Sequence, residues 1–246
     1  MKRAVFLVVG LLFSGAVSHN ANAGTVTIGT ANFGNCYPFM CNDSGTSSGP
    51  SITYQQVYAA SAFPGPISIT DEEFPWLFAQ QFGGNDTLLG GTYVFTLSTT
   101  SAAVNGLSSS SLSSNLGADA TQVLSVTIPA GGVSFGTSYT FTNTSPFSYD
   151  PVNGNLLLQV AVSNQDNVPN GSGNSYVDSD GTGMLTSRAY AFGGADSGSA
   201  DSTGLVTTFS FGVPEPSSLS VLAGGVLLLI GMVRPRQCRA SVGRNA

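Results

Sequence analysis

The chain has 246 residues, enough for one sizeable domain with targeting segments at its ends. Only 8% of residues are charged, but 41% are hydrophobic and 10% aromatic, which excludes wholesale disorder and allows a buried core. The net charge is −6, and Arg188 is the only basic residue in the middle of the chain against twelve acids from Asp43 to Asp201, so nucleic acid and anionic membrane surfaces are poor electrostatic partners.

The first 23 residues read as a secretory signal peptide. MKR supplies a positive start and AVFLVVGLLFSGAV an apolar run shorter than the ~20 residues of a spanning helix. SHNANA then ends in Ala21-Asn22-Ala23, a small-x-small cleavage site before Gly24. The only histidine, His19, leaves with that segment.

Residues 24–212 are expected to form one ectodomain. Cys36 and Cys41 in NCYPFMC stand in a chain bound for an oxidising compartment, where a disulfide closing a small loop is expected. A zinc site would need further Cys or His, which the mature domain lacks. DEEFPWLF places Asp71, Glu72 and Glu73 beside Trp76, the only tryptophan. Such a set suits contact with a glycan, and equally a charged turn followed by aromatic residues entering a core. FPWLFAQQF reads as a short helical turn or an irregular strand.

Several segments alternate with the period of two of a half-buried strand. TYVFTLSTT puts Tyr93, Phe95 and Leu97 on one face and Thr92, Thr96 and Ser98 on the other, with Val94 as the exception. QVLSVTIP aligns Leu124, Val126 and Ile128, and NLLLQVAVSN aligns Leu156, Leu158, Val160 and Val162. TVTIGT, ITYQQVYAAS, GPISIT, SYTFTN and LVTTFSF are further candidates. The stretch VNGLSSSSLSSNLGAD reads as a polar surface loop. With no amphipathic helix and no βαβ rhythm, the expected fold is all-β: an antiparallel β-sandwich, with a jelly roll as one form of it.

YVDSDGTG places Asp178 and Asp180 two apart before Gly181, a spacing that can wrap calcium through oxygen ligands. The full twelve-residue calcium pattern with its terminal glutamate is absent, and a solvated loop is the competing reading. No cofactor is otherwise expected. The processed domain has no His and no Lys, so a serine nucleophile lacks its usual base and no enzyme activity is expected. A secreted glycoside hydrolase would need two facing carboxylates, and no such pair stands out.

The tail, residues 213–246, has three parts. Val213-Pro214-Glu215-Pro216 is a stiff joint, because its two prolines fix φ and remove donors. Leu219–Val233 is an apolar run suited to a short transmembrane helix. Arg234, Arg236, Arg239 and Arg244 follow and should stay cytoplasmic.

These three parts, in VPEPSSLSVLAGGVLLLIGMVRPR, closely resemble the PEP-CTERM sorting signal. The basic cluster departs from the common pattern, being broken by Pro235 and Gln237 and followed by a polar extension. The resemblance implies recognition by an exosortase, a membrane-embedded cysteine protease or transpeptidase of Gram-negative bacteria that also assemble exopolysaccharide. NCYPFMC, YQQVYAAS, GTYVFTLSTTS, GNLLLQVAVSN and GLVTTFSF resemble the ectodomains common among such proteins, which implies a β-sandwich of unassigned activity. The expected protein is tethered in the inner membrane until processed. It then resides at the cell surface or outside the cell, structural or adhesive among exopolysaccharide. The alternative is a glycan-binding module with a defined pocket, with or without calcium.

Overall fold

A computed structural model of the chain describes residues 23–39, 51–69, 76–79, 87–134, 138–145, 147–166 and 176–212. Asn22–Pro214 forms one compact unit; the other unit, Met1–Ala21 with Glu215–Ala246, lies outside the described residues. The expected signal peptide, sorting joint, transmembrane helix and basic tail therefore all lie outside them, apart from Ala23. Among the described residues no helix is long and apolar enough to cross a membrane.

The described chain is all-β. Its first strands are β1 (Ala23–Ile28), β2 (Phe33–Asn35), β3 (Ile52–Tyr58), β4 (Ile67–Ile69), β5 (Trp76–Ala79) and β6 (Thr87–Leu88). Then come β7 (Gly91–Thr100), β8 (Thr121–Ile128), β9 (Val133–Ser134), β10 (Ser138–Phe141), β11 (Phe147–Tyr149) and β12 (Asn155–Ser163). The last are β13 (Val177–Asp180), β14 (Thr186–Phe192), β15 (Ser199–Asp201), β16 (Gly204–Leu205) and β17 (Thr207–Gly212). Three single-turn 3-10 helices are the only helices among the described residues.

All pairings among the described strands are antiparallel. One six-stranded sheet runs β15-β14-β3-β12-β7-β8; another runs β10-β5-β17-β4-β11, with β1 added to β17. A three-stranded sheet β16-β13-β2 and the pair β6-β9 complete it. The alternation of β7 is realised: Tyr93, Phe95 and Leu97 are buried, while Thr92, Val94 and Thr96 are half-buried on the other face. In β8 the pairing slips opposite Phe95/Thr96, and the extra residue is Val123. Its carbonyl is not wasted, since it accepts from the amides of Thr144 and Ser145.

The inner faces of the two large sheets share one core. Tyr58 of β3 meets Phe209 of β17 edge-on at 5.0 Å, and Phe95 of β7 lies 4.5 Å from Phe141 of β10. Tyr58 Oη is also 2.9 Å from Thr207 Oγ1, which gives a buried hydroxyl its partner. Gln56 is fully buried yet satisfied: its Oε1 accepts from Tyr54 Oη and Leu205 N, and its Nε2 donates to Leu205 O.

Two expectations are corrected here. The stretch 104–119 is not a free polar loop. Leu107 and Leu112 are buried with Val57, Leu157, Ala189 and Ala191 on the outer face of the large sheet. Its serines are exposed or half-buried while Leu107 and Leu112 close over a second, smaller core. Residues 177–180 are likewise a strand rather than a solvated loop, and all four are buried.

Candidate functional site

β14 carries the one described basic residue, Arg188, and β15 carries its partner, Asp201. Arg188 is in register with Gln56 on β3 and with Asp201 on β15, so strand pairing alone sets the carboxylate beside the guanidinium. Nε donates to Asp201 Oδ1 at 2.9 Å and to Oδ2 at 3.1 Å, and Nη2 donates to Oδ2 at 2.9 Å. That forked geometry is the strong form of an arginine–carboxylate contact. Arg188 is 8% exposed, whereas the Asp201 side chain is 39% exposed. Nη1 is buried with no hydrogen-bond partner among the described residues, but the guanidinium carbon lies 5.0 Å from the Tyr190 ring and 6.0 Å from the Tyr37 ring. Those π faces offset part of the desolvation of the charge. Burial is the largest single influence and works against the Arg188 charge; the Asp201 hydrogen bonds, added to the charge interactions with Tyr54, Asp201 and Tyr190, outweigh it together and hold the pKa above the ordinary value.

A pocket of about 190 Å³ opens at this edge, lined by Asn105, Leu107, Ser187, Arg188, Ala200, Asp201 and Ser202. Asn105 sits at φ 63°, a conformation asparagine tolerates better than most residues. Its amide donates to Ser187 Oγ at 2.7 Å and its side chain to Gly183 O at 2.8 Å. Gly183, at φ 64°, lets three loops approach: a methyl group there would stand 2.8 Å from Ser202 Cβ and 2.9 Å from Asn105 Oδ1. Among the described residues no histidine or lysine stands near Ser187 to activate it. The pocket is equipped to hydrogen-bond.

The residues singled out in the sequence lie elsewhere. Asp180 is 3% exposed, and its carboxylate accepts from Thr30 N at 3.0 Å and Thr182 N at 2.7 Å. Burial alone would raise its pKa, but bonds from Thr182 and Thr30 hold it below the ordinary value. The carboxylate is therefore committed to joining β13 to the segment after β1. Asp178 is buried on the same strand, and its backbone carbonyl accepts from Val206 N at 2.9 Å. Among the described residues no group of three or more His, Cys, Asp or Glu could hold a metal ion. Cys36 is disulfide-bonded; Cys41, the expected partner, lies outside the described residues. Trp76 heads β5 in register with Phe141 and Phe209, and its side chain lies outside the description together with Asp71, Glu72 and Glu73.

Sequence reasoning did not assign a role to Arg188 or anticipate its pocket. The one available signal was its isolation: a lone arginine in a poorly charged domain needs a partner, and no spacing in the sequence names Asp201 as that partner.

The fold and the pocket define an all-β antiparallel protein with a small polar site at a sheet edge. Neither protein-family models, nor curated proteins, nor solved structures match the chain.

Proposed function

We propose that the chain is an exported cell-surface or extracellular-matrix protein, processed by an exosortase and structural or adhesive in an exopolysaccharide setting. The two large sheets, packed through one core, form a β-sandwich for display. The observation that carries this reading is the placement of the domain ends. β1 begins at Ala23, beside the expected signal cleavage, and β17 ends at Gly212, just before Val213-Pro214-Glu215-Pro216. Ala23 and Gly212 are register partners, so the two ends of the described domain lie side by side. The sorting tail then serves as a temporary tether, with the apolar run in the inner membrane and the arginines on the cytoplasmic side.

Intact mass of the exported protein tests the proposal. The expected species starts at Gly24 and ends near Pro214–Pro216, and changing Pro214, Glu215 and Pro216 together to alanine leaves the tail attached and the protein in the membrane fraction. A full-length species recovered from the cytosol defeats the reading.

A further inference from the structure

The pocket beside β15 has a composition that limits what it can take. Arg188 and Asp201 cancel each other's charge, and Asp201 Oδ1 also accepts from Thr203 N at 2.8 Å. An anion entering here would meet the half-exposed carboxylate; a cation would meet the guanidinium. Either must be desolvated without a free counter-charge. A neutral ligand avoids both costs.

The remaining groups are hydrogen-bonding and not saturated. Among the described residues Asn105 Oδ1 accepts no bond, and the Ser202 hydroxyl has a single long contact of 3.5 Å to Gly181 O. Asp201 already accepts from Arg188 Nε, Arg188 Nη2 and Thr203 N, which leaves its half-exposed carboxylate room for about one further donor. Leu107 and Ala200 add an apolar wall. Closely spaced donors and acceptors over a small apolar patch match vicinal hydroxyls on a ring whose C–H face is apolar. The volume of about 190 Å³ falls below the ~300 Å³ at which drug-sized ligand sites begin. It therefore admits one ring and no longer segment.

The geometry points to a binding site for a single uncharged sugar residue, free or at the end of a polysaccharide, held by Asp201, Asn105 and Ser202 over the Arg188 ion pair. This deepens the adhesive reading by naming the class of ligand. It does not depend on how the chain is exported, so its failure is separable from that of the exosortase proposal.

The test uses the full chain in detergent micelles and isothermal titration with glucose, galactose, mannose and N-acetylglucosamine, beside glucuronate and soluble dextran. At least one neutral sugar is expected to bind about tenfold more tightly than glucuronate. Dextran competing with the free sugar shows that the terminal residue of a chain enters too, and a free sugar binding alone also supports the site. Asn105→Gly keeps the positive φ but removes the carboxamide; Ala200→Leu fills the pocket from an exposed position. Each is expected to weaken binding about tenfold; Ala200→Leu leaves the melting temperature in place, and Asn105→Gly, which also loses the bond to Gly183 O, lowers it slightly while the protein stays folded. No binding by any neutral sugar, equal or better binding of glucuronate, or unchanged affinity in both folded variants overturns the proposal.

Discussion

Arg188 and Asp201 make unequal demands on one another. Arg188 is nine-tenths buried, while Asp201 keeps contact with water. Asp201→Ala therefore strands a buried charge and should cost about 2–4 kcal/mol in urea unfolding, somewhat below a fully enclosed pair. Arg188→Met leaves only a wettable carboxylate and should cost clearly less, an ordering that a symmetric surface ion pair would not produce. Asp180 sets a pH dependence of known sign. Its folded-state pKa is depressed below the ordinary 3.8, so its contribution is present above that value and lost as pH falls through the folded-state value. The stability gap between the wild type and Asp180→Asn should be constant from pH 7 to about 5 and close on acidification below about 4. Thermal melts at a series of pH values would show it.

At the scale of an element, the segment 101–120 acts as a lid over the outer face of the large sheet. Asn115 is its centre: Nδ2 donates to Gln55 Oε1 at 2.8 Å, and Oδ1 accepts from Ser108 N at 2.8 Å. Gln55 Nε2 in turn donates to Leu112 O and Gln159 Oε1, both at 2.8 Å. The rim is tied by Asp196, whose carboxylate accepts from Ser111 Oγ and Ser113 N, each at 2.7 Å. The Ser111 hydroxyl, then the Ser113 amide, hold the Asp196 carboxyl below its ordinary pKa. Interior and rim should separate by experiment. Leu112→Ala opens a cavity in the small core and should cost about 2–4 kcal/mol. Asp196→Ala should speed amide exchange across 108–116 while protection in β7 and β12 stays unchanged. Equal loss of protection in the sheet would show that the lid and sheet open together.

The whole molecule depends on contact between its two large sheets, which meet through aromatic rings from distant parts of the chain. Phe209 packs on Tyr58 at 5.0 Å and on Phe63 at 5.8 Å and has no exposure. Phe209→Ala should cost about 3–5 kcal/mol, read as a lower denaturation midpoint. A loss confined to one sheet by hydrogen exchange would contradict a shared core. The same scale places β1 beside β17, though their residues are nearly the whole domain apart in sequence.

The sequence by itself determined what depends on local pattern. Period-two alternation marked β7, β8 and β12 with the correct inward faces, because a pleated strand sends successive side chains to opposite sides. It fell short at β14, where Arg188 between small residues breaks the apolar rhythm, and at β13, where two aspartates read as turn chemistry. In the lid, leucines spaced among serines carry no period at all. Their burial depends on the outer face of β3, β12 and β14 lying beneath them. Only the tertiary structure decided that face, the strand order and the Arg188–Asp201 register, because pairing across the sheet is set by long-range packing that no local spacing encodes.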